Sequence, residues 1–169
     1  MVYKKTWKYI LTKDNTRCCR DFNYYRLKAL KDFSNISKGD IGGFVRGYHN
    51  LSHKGNCWIY NFARIYDNAR IFENARVSKD AWVYGDAQVY GNAIVTENSQ
   101  VKGNAKIRGY TQIFGSAIIC ESTEISGHAQ VFGYARVGGD SIVCGNAIIR
   151  GDARIEGVKV ICGNSIIDK

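Results

Sequence analysis

Few residues in this 169-residue chain have the chemistry of a catalyst or a metal ligand. His128 stands in GHAQVF, at a position where neighbouring units carry Asn or Asp. An imidazole titrates near neutrality and could take a proton from a hydroxyl or an amine. His49, His53 and Cys57 recur at spacings of four, and zinc accepts both ligand types. A loop leading into the repeat described below accounts for these histidines better, so no metal site is expected. The six cysteines are Cys18, Cys19, Cys57, Cys120, Cys144 and Cys162. They show no CxxC spacing and no compact secreted framework, and read as small apolar residues of a reducing compartment. No phosphate-cradling loop, nucleophile elbow or paired-carboxylate constellation occurs. No cofactor is expected.

The elements that must position such residues follow a six-residue period. GDAQVYGNAIVT, residues 85–96, says nearly the same thing twice. Counting in sixes from Ile59 to Ile167 gives 19 positions, and all are Ile or Val. Two residues before each, from Cys57 to Ser165, 12 of 19 are Ala and the others are Ser, Thr or Cys, with a single Lys, Lys159. A spacing of two puts the small and the β-branched residue on one side of a strand. Gly and Asn/Asp at the other end of the unit tolerate a sharp bend. A helix is excluded, because a period of six would scatter the aliphatic residues about 240° apart around its axis. Strand-corner units bury one stripe only by winding into a coil and stacking, at about 4.8 Å per coil.

Over residues 57–169 this pattern resembles the hexapeptide-repeat superfamily. The resemblance implies an all-β fold: a left-handed triangular parallel β-helix of about six coils, with residue n beside n+18. The opening segments KYILT, YRLKALKDF, GDIGGFV and NLSHKGNCWIY resemble the N-terminal segment of uncharacterised hexapeptide-repeat proteins of phages and prophages. No activity comes with that likeness. Lys4–Leu11 and Asp21–Leu27 read as short strands around a turn at Lys13-Asp14-Asn15-Thr16, and Asp40–Gly43 as a glycine-rich turn. Residues 1–56 are expected to form a basic, β-rich cap that closes the first coil, with the β-helix over 57–169.

Charge divides along the same boundary. Residues 1–56 hold 12 Lys+Arg against 4 Asp, and the remainder 12 against 11, within a formal net charge of +9. The cap, with Lys4, Lys5, Lys8, Arg17, Arg20, Arg26 and Lys28, is expected to meet an acidic protein surface or a nucleic-acid-containing complex. Arg64, Arg70 and Arg76 fall on three successive faces, which suits a diffuse field rather than a base-reading motif. The n+18 rule sets Tyr66 beside Tyr84, Phe72 beside Tyr90 and Phe114 beside Phe132. Such ladders stabilise a sheet and also serve as interface anchors, so Tyr66, Tyr84, Phe72 and Tyr90 join the expected partner-binding set. Trp58 and Trp82 flank the inward series and fit either role. Rows of corner residues, Asn56/Asn74/Asn92 and Asn68/Asp86/Asn104, read as structural.

The last third offers three outward apolar pairs: Ile142/Val160, Cys144/Cys162 and Ile148/Ile166. A contiguous exposed patch of this kind, with no helical pattern to seal the last coil, points to a two-fold homodimer through the C-terminal coils. Lys159 occupies an inward position, where a buried ammonium is costly, so the backbone is expected to leave the regular coil there.

Many relatives in the superfamily are acyltransferases that use acyl coenzyme A with a coil-borne His as general base. The resemblance therefore makes His128 a candidate. The coils from Trp58 to Glu156 contain no insertion that could build walls around it, and a deep pocket needs walls. The superfamily's carbonic-anhydrase pattern of three histidines is absent, as is the threonine array of an ice-binding face. The reading is a non-catalytic interaction protein that docks on and blocks a host complex such as a defence system; the alternative is an acyltransferase acting through His128. No stretch reaches the length of a membrane span, and MVYKKTWKYI lacks an apolar signal region, so no membrane partner and a cytoplasmic location are expected.

Overall fold

The computed structural model describes residues 7–13 and 24–169. The strands are β1 (Tyr9–Lys13), β2 (Tyr25–Ala29), β3 (Ile41–Val45) and then 19 strands of two or three residues, from β4 (Trp58–Ile59) to β22 (Ile166–Asp168). One 3-10 turn, Tyr48–Asn50, is the helical element among the described residues. The strands stack into three sheets, each advancing one strand per turn of the chain. The protein is an all-β parallel solenoid of about seven turns.

Arg64, Arg70 and Arg76 lie on three different sheets, called here the first, second and third faces. The first face joins nine strands, the second six and the third seven. Registers advance by one 18-residue turn, as in Gln112 opposite Gln130 and Ile113 opposite Val131. The amide of residue n donates to the carbonyl of n+17: Gln112 to Ala129 at 3.0 Å, Phe114 to Val131 at 3.1 Å, Ser116 to Gly133 at 2.8 Å. Inward Ile, Val and Ala fill one continuous core. Ser99, Thr111, Thr123 and Ser141 take inward small positions and are fully buried. Each hydroxyl donates to the carbonyl three residues earlier, at 2.7–2.8 Å, so no buried oxygen is left unpaired.

The corners need left-handed backbone. At Gly127 φ is +75°, and a Cβ there would lie 2.7 Å from the carbonyl oxygen and 2.8 Å from the amide nitrogen of Gly145 on the next turn. Asp67, Glu73, Glu97 and Glu121 take the same left-handed backbone. Their carboxylates accept the amides of Gly85, Gly91, Gly115 and Gly139 one turn on, at 3.3, 2.9, 2.7 and 2.6 Å. A charge-assisted bond across the rung offsets the backbone strain. Lys79 and the Gly115 amide hold the Glu97 carboxyl below its ordinary range.

The cap differs from expectation in three ways. Strands β1 and β2 pair antiparallel and lie later than the expected Lys4–Leu11 and Asp21–Leu27; the turn at 13–16 extends outside the described residues. Asp40–Gly43 is not a turn, because Ile41–Val45 is a strand that pairs antiparallel with β2 and parallel with β5 (Arg64–Ile65). Stacking therefore starts near residue 41, and the expected boundary at 56 cuts through the first turn. Gly42 and Gly43 are there for close approach: a Cβ on Gly42 would be 2.7 Å from the Ile59 carbonyl oxygen, and one on Gly43 2.5 Å from Ile59 Cγ2. Tyr9, Leu27, Ala29 and Ile36 join the solenoid core.

At the other end two expectations fail. The ladder runs on through Lys159, whose carbonyl accepts the Ile142 amide at 2.7 Å while Val160 stays in register with Ile142. Lys159 is exposed rather than buried. Cys144 and Cys162 are joined as a disulfide between adjacent rungs, with Cα atoms 4.5 Å apart, so the reading of all six cysteines as small apolar residues of a reducing compartment does not hold for these two. Stacking at one-turn spacing brings the pair within bonding reach.

Gly163 shares the left-handed corner of Gly127 (φ +71°), but has nothing within 4 Å of a would-be Cβ. Gly163→Ala should cost about 1–2 kcal/mol from backbone strain alone. Gly127→Ala should cost about 3 kcal/mol or more, because two rungs must also part. Urea unfolding checks this; equal losses would mean that the rungs do not touch at the corner.

Candidate functional site

His128 sits on an exposed corner, with its ring stacked on Tyr110 at 4.9 Å and 4° between planes. Among the described residues its ring nitrogens have no hydrogen-bond partner, so no carboxylate orients it as a base. A shallow depression elsewhere is lined by Arg46, His49, Asp67, Asn68, Gly85 and Asp86. Its polar groups are engaged in holding the rungs: the Asp67 carboxylate takes the Gly85 amide, Asp86 accepts from Asn68 at 3.0 Å, and His49 Nε2 lies 2.8 Å from the Asp67 carbonyl oxygen.

The histidines and the cysteine at spacings of four part company in space. His49 contacts the corner carbonyl just named. His53 stacks on Trp7 at 5.0 Å and on Tyr9 at 4.2 Å. Cys57 is buried beside Lys8, its Sγ 3.3 Å from the ammonium nitrogen. No cluster of three metal-ligating side chains occurs among the described residues.

Lys8 was expected on the basic surface, yet it is only 1 % exposed. Its Nζ donates to the Cys57 carbonyl at 2.8 Å and the Gly55 carbonyl at 3.3 Å, and lies 5.0 Å from the centre of the Phe33 ring. It plugs the first end of the column and offers nothing to a partner. Burial holds the Lys8 pKa down and the Cys57 pKa up, so the pair suits a neutral thiol. Nothing in the local sequence signals this pair, which spans 49 residues.

Of the remaining expected partner-binding residues, Lys4, Lys5, Arg17 and Arg20 lie outside the described residues. Lys28 is exposed, and Arg26 is half-buried with its guanidinium 4.5 Å from the Phe44 ring centre. Tyr66 and Tyr84 stack at 4.8 Å at the corner that ends the first face. Phe72 and Tyr90 stack at 4.7 Å at the next corner. The structure therefore separates the two aromatic pairs, and brings only the first to the arginines. There Arg64 lies 5.3 Å from the ring of Trp82, Trp82 meets Tyr66 edge-on at 6.2 Å, and Lys102 reaches 5.9 Å from the Tyr84 ring. Sequence reasoning left Arg64, Phe44 and Lys102 out of this site and gave Trp82 either role. The n+18 rule contained the signal, since it pairs Arg64 with Trp82 and Tyr84 with Lys102. Trp58, by contrast, is buried under the cap against Phe33 and Tyr9.

The fold and this surface define a β-solenoid whose chemical groups lie on its outer faces beside the cap. The family model described as the YdcK beta solenoid repeat matches residues 63–78 and 87–105, within the early turns and outside the cap. No curated protein matches the chain.

Burial, and then the Lys8 and Lys31 charges, push the His53 pKa below 6.5. The unfolded chain thus takes up a proton before the folded one does. Stability from His53 is fully present above about pH 6.5 and is lost as pH falls below it. The thermal midpoint should drop between pH 7 and 5, and His53→Phe, which keeps the ring stack, should flatten that drop. Parallel pH curves for the two proteins would contradict the assignment.

Proposed function

We propose that the chain is a non-catalytic, rigid interaction protein of the hexapeptide-repeat type that docks on and blocks an acidic host complex. The surface beside the cap carries the reading. Arg26 and Arg64 are held against Phe44 and Trp82, with Tyr66, Tyr84 and Lys102 continuing the cluster along the column. Arginines braced on aromatic rings lose little freedom on binding, and aromatic and Arg side chains are the usual anchors of an interface. The likeness of the opening segments to phage and prophage proteins supports a phage-encoded protein acting in the host cytoplasm, on a target such as a defence complex. No helix among the described residues is long and apolar enough to cross a membrane.

Self-association belongs to the same reading. Ile142, Val158, Val160 and Ile166 are 42 %, 80 %, 69 % and 60 % exposed along one edge, with the Cys144–Cys162 bridge and Ile148 between them. An apolar edge of this extent favours a partner, in the simplest case a second copy.

Capture of host proteins on the immobilised chain tests the docking. Arg64→Glu with Trp82→Ala should reduce specific capture at least tenfold, and raising the salt should weaken it steeply. Capture indifferent to both changes would remove the surface from the reading. The acyltransferase alternative predicts instead that acetyl coenzyme A binds the purified protein and that His128→Ala abolishes acyl transfer.

A further inference from the structure

The rungs of the second face are not all held equally. The β18 rung (Ile142–Val143) buries two inward side chains completely, Ser141 and Val143. The β21 rung (Val160–Ile161) buries only Ile161, because Lys159 stands exposed at the small inward position. Strand β21 ends the six-stranded sheet and, among the described residues, pairs with β18 alone. The amides of Ile142, Cys144 and Asn146 donate to the carbonyls of Lys159, Ile161 and Gly163 at 2.7, 2.9 and 2.7 Å. The corners on either side, Gly157 and Gly163, have nothing within 4 Å of a would-be Cβ. Across these same two rungs runs the Cys144–Cys162 bridge, which joins residues exactly one turn apart. Both of its cysteines are half-buried at outward positions, whereas Cys57 and Cys120 are buried free thiols.

We propose that this bridge is a thiol-sensitive clip: a small monothiol such as glutathione reduces it, and residues 157–163 then leave the second face while the earlier turns stay stacked. An inner rung is held by two buried inward side chains and by hydrogen bonds to a rung on each side. Residues 157–163 have one such side chain and a paired rung on one side, so the covalent tie carries a larger share of their hold. The tie acts by closing a one-turn loop, which removes chain entropy from the detached state. Reduction restores that entropy. In the first step a glutathione thiolate attacks one bridge sulfur and the S–S bond breaks. A mixed disulfide forms on that cysteine, and the other cysteine leaves as a thiolate that takes up a proton. A second glutathione thiolate then displaces the first, leaving the remaining cysteine as a thiol and releasing glutathione disulfide. Two electrons and two protons pass from the two glutathiones to Cys144 and Cys162. Exposed disulfides are the labile ones, and a buried thiol such as Cys57 or Cys120 takes no part. The released segment carries Val158 and Val160, so on the self-association reading above reduction also weakens pairing; the clip itself does not rest on that reading.

The full chain, equilibrated in buffers of stepped reduced-to-oxidised glutathione ratio and then alkylated and digested, reports the redox state of Cys144 and Cys162 by mass spectrometry. Amide hydrogen exchange on the same samples reads the rungs. On reduction the Ile142, Cys144 and Asn146 amides should exchange at least tenfold faster, while those of Gln112 and Phe114 stay within about twofold. Cys144→Ser/Cys162→Ser should exchange like the reduced parent in every buffer. The proposal is overturned if the bridge survives reduced glutathione alone, or if both cysteines remain thiols in the most oxidising buffer. It is also overturned if reduction leaves the three end amides as slow as before, or speeds Gln112 and Phe114 equally, which would make the bridge a support of the whole column. Light scattering of oxidised and reduced samples keeps the two readings apart. Exchange that responds to reduction with a mass that does not would remove the C-terminal edge from self-association and leave the clip standing.

Discussion

Everything in this molecule rests on the contact between one rung and the next. The amide of residue n reaches the carbonyl of n+17, and the side chain of n lies on that of n+18. Each rung alone is two or three strand residues and a corner, too little to hold itself together. Stacked, its inward aliphatic residue, small residue and glycine corner each meet their own kind above and below. The stability of such an array is close to a sum of neighbour terms, and its ends are the exceptions.

The two ends are handled differently. At the first end the chain folds back as an antiparallel pair, extends the first face, and plugs the core with Tyr9, Leu27 and a buried lysine ammonium. The last described rung has no such cover, and Val158 and Val160 stand in the open. Between the ends the walls are smooth and the polar groups of the corners are engaged with each other. Outward side chains of the three faces are held in a fixed pattern, each one turn from its neighbour. One face carries arginines braced on aromatic rings near the cap.

The solenoid was legible in the sequence because every unit repeats the same local constraint. A β-branched residue two after a small one, and a glycine or Asx corner, suffice to give the strand, its inward side and its bend. Once the turn is 18 residues, the neighbours follow, including the Tyr66–Tyr84, Phe72–Tyr90 and Phe114–Phe132 stacks. The cap was less legible because its contacts are long-range and do not repeat. Lys8 looks like any surface lysine until Cys57 and Gly55 bring their carbonyls to it. Gly42 and Gly43 look like a turn until Trp58 and Ile59 press against them. Lys159 misled too: the ladder keeps its register through it, and its side chain is exposed. The candidate surface was half legible. The aromatic pairs were visible, but the arginines had been placed around the coil by face and not paired along it.

Pulsed electron spin resonance between spin labels at Arg70 and Ile142 measures the founding contact directly. Both sites lie on the second face, four rungs apart. The account predicts one narrow distance near 19 Å, widened only by the label arms, since each rung adds about 4.8 Å. A broad distribution, or a separation well beyond 30 Å, would mean that the 71 residues between them do not wind into a stacked column.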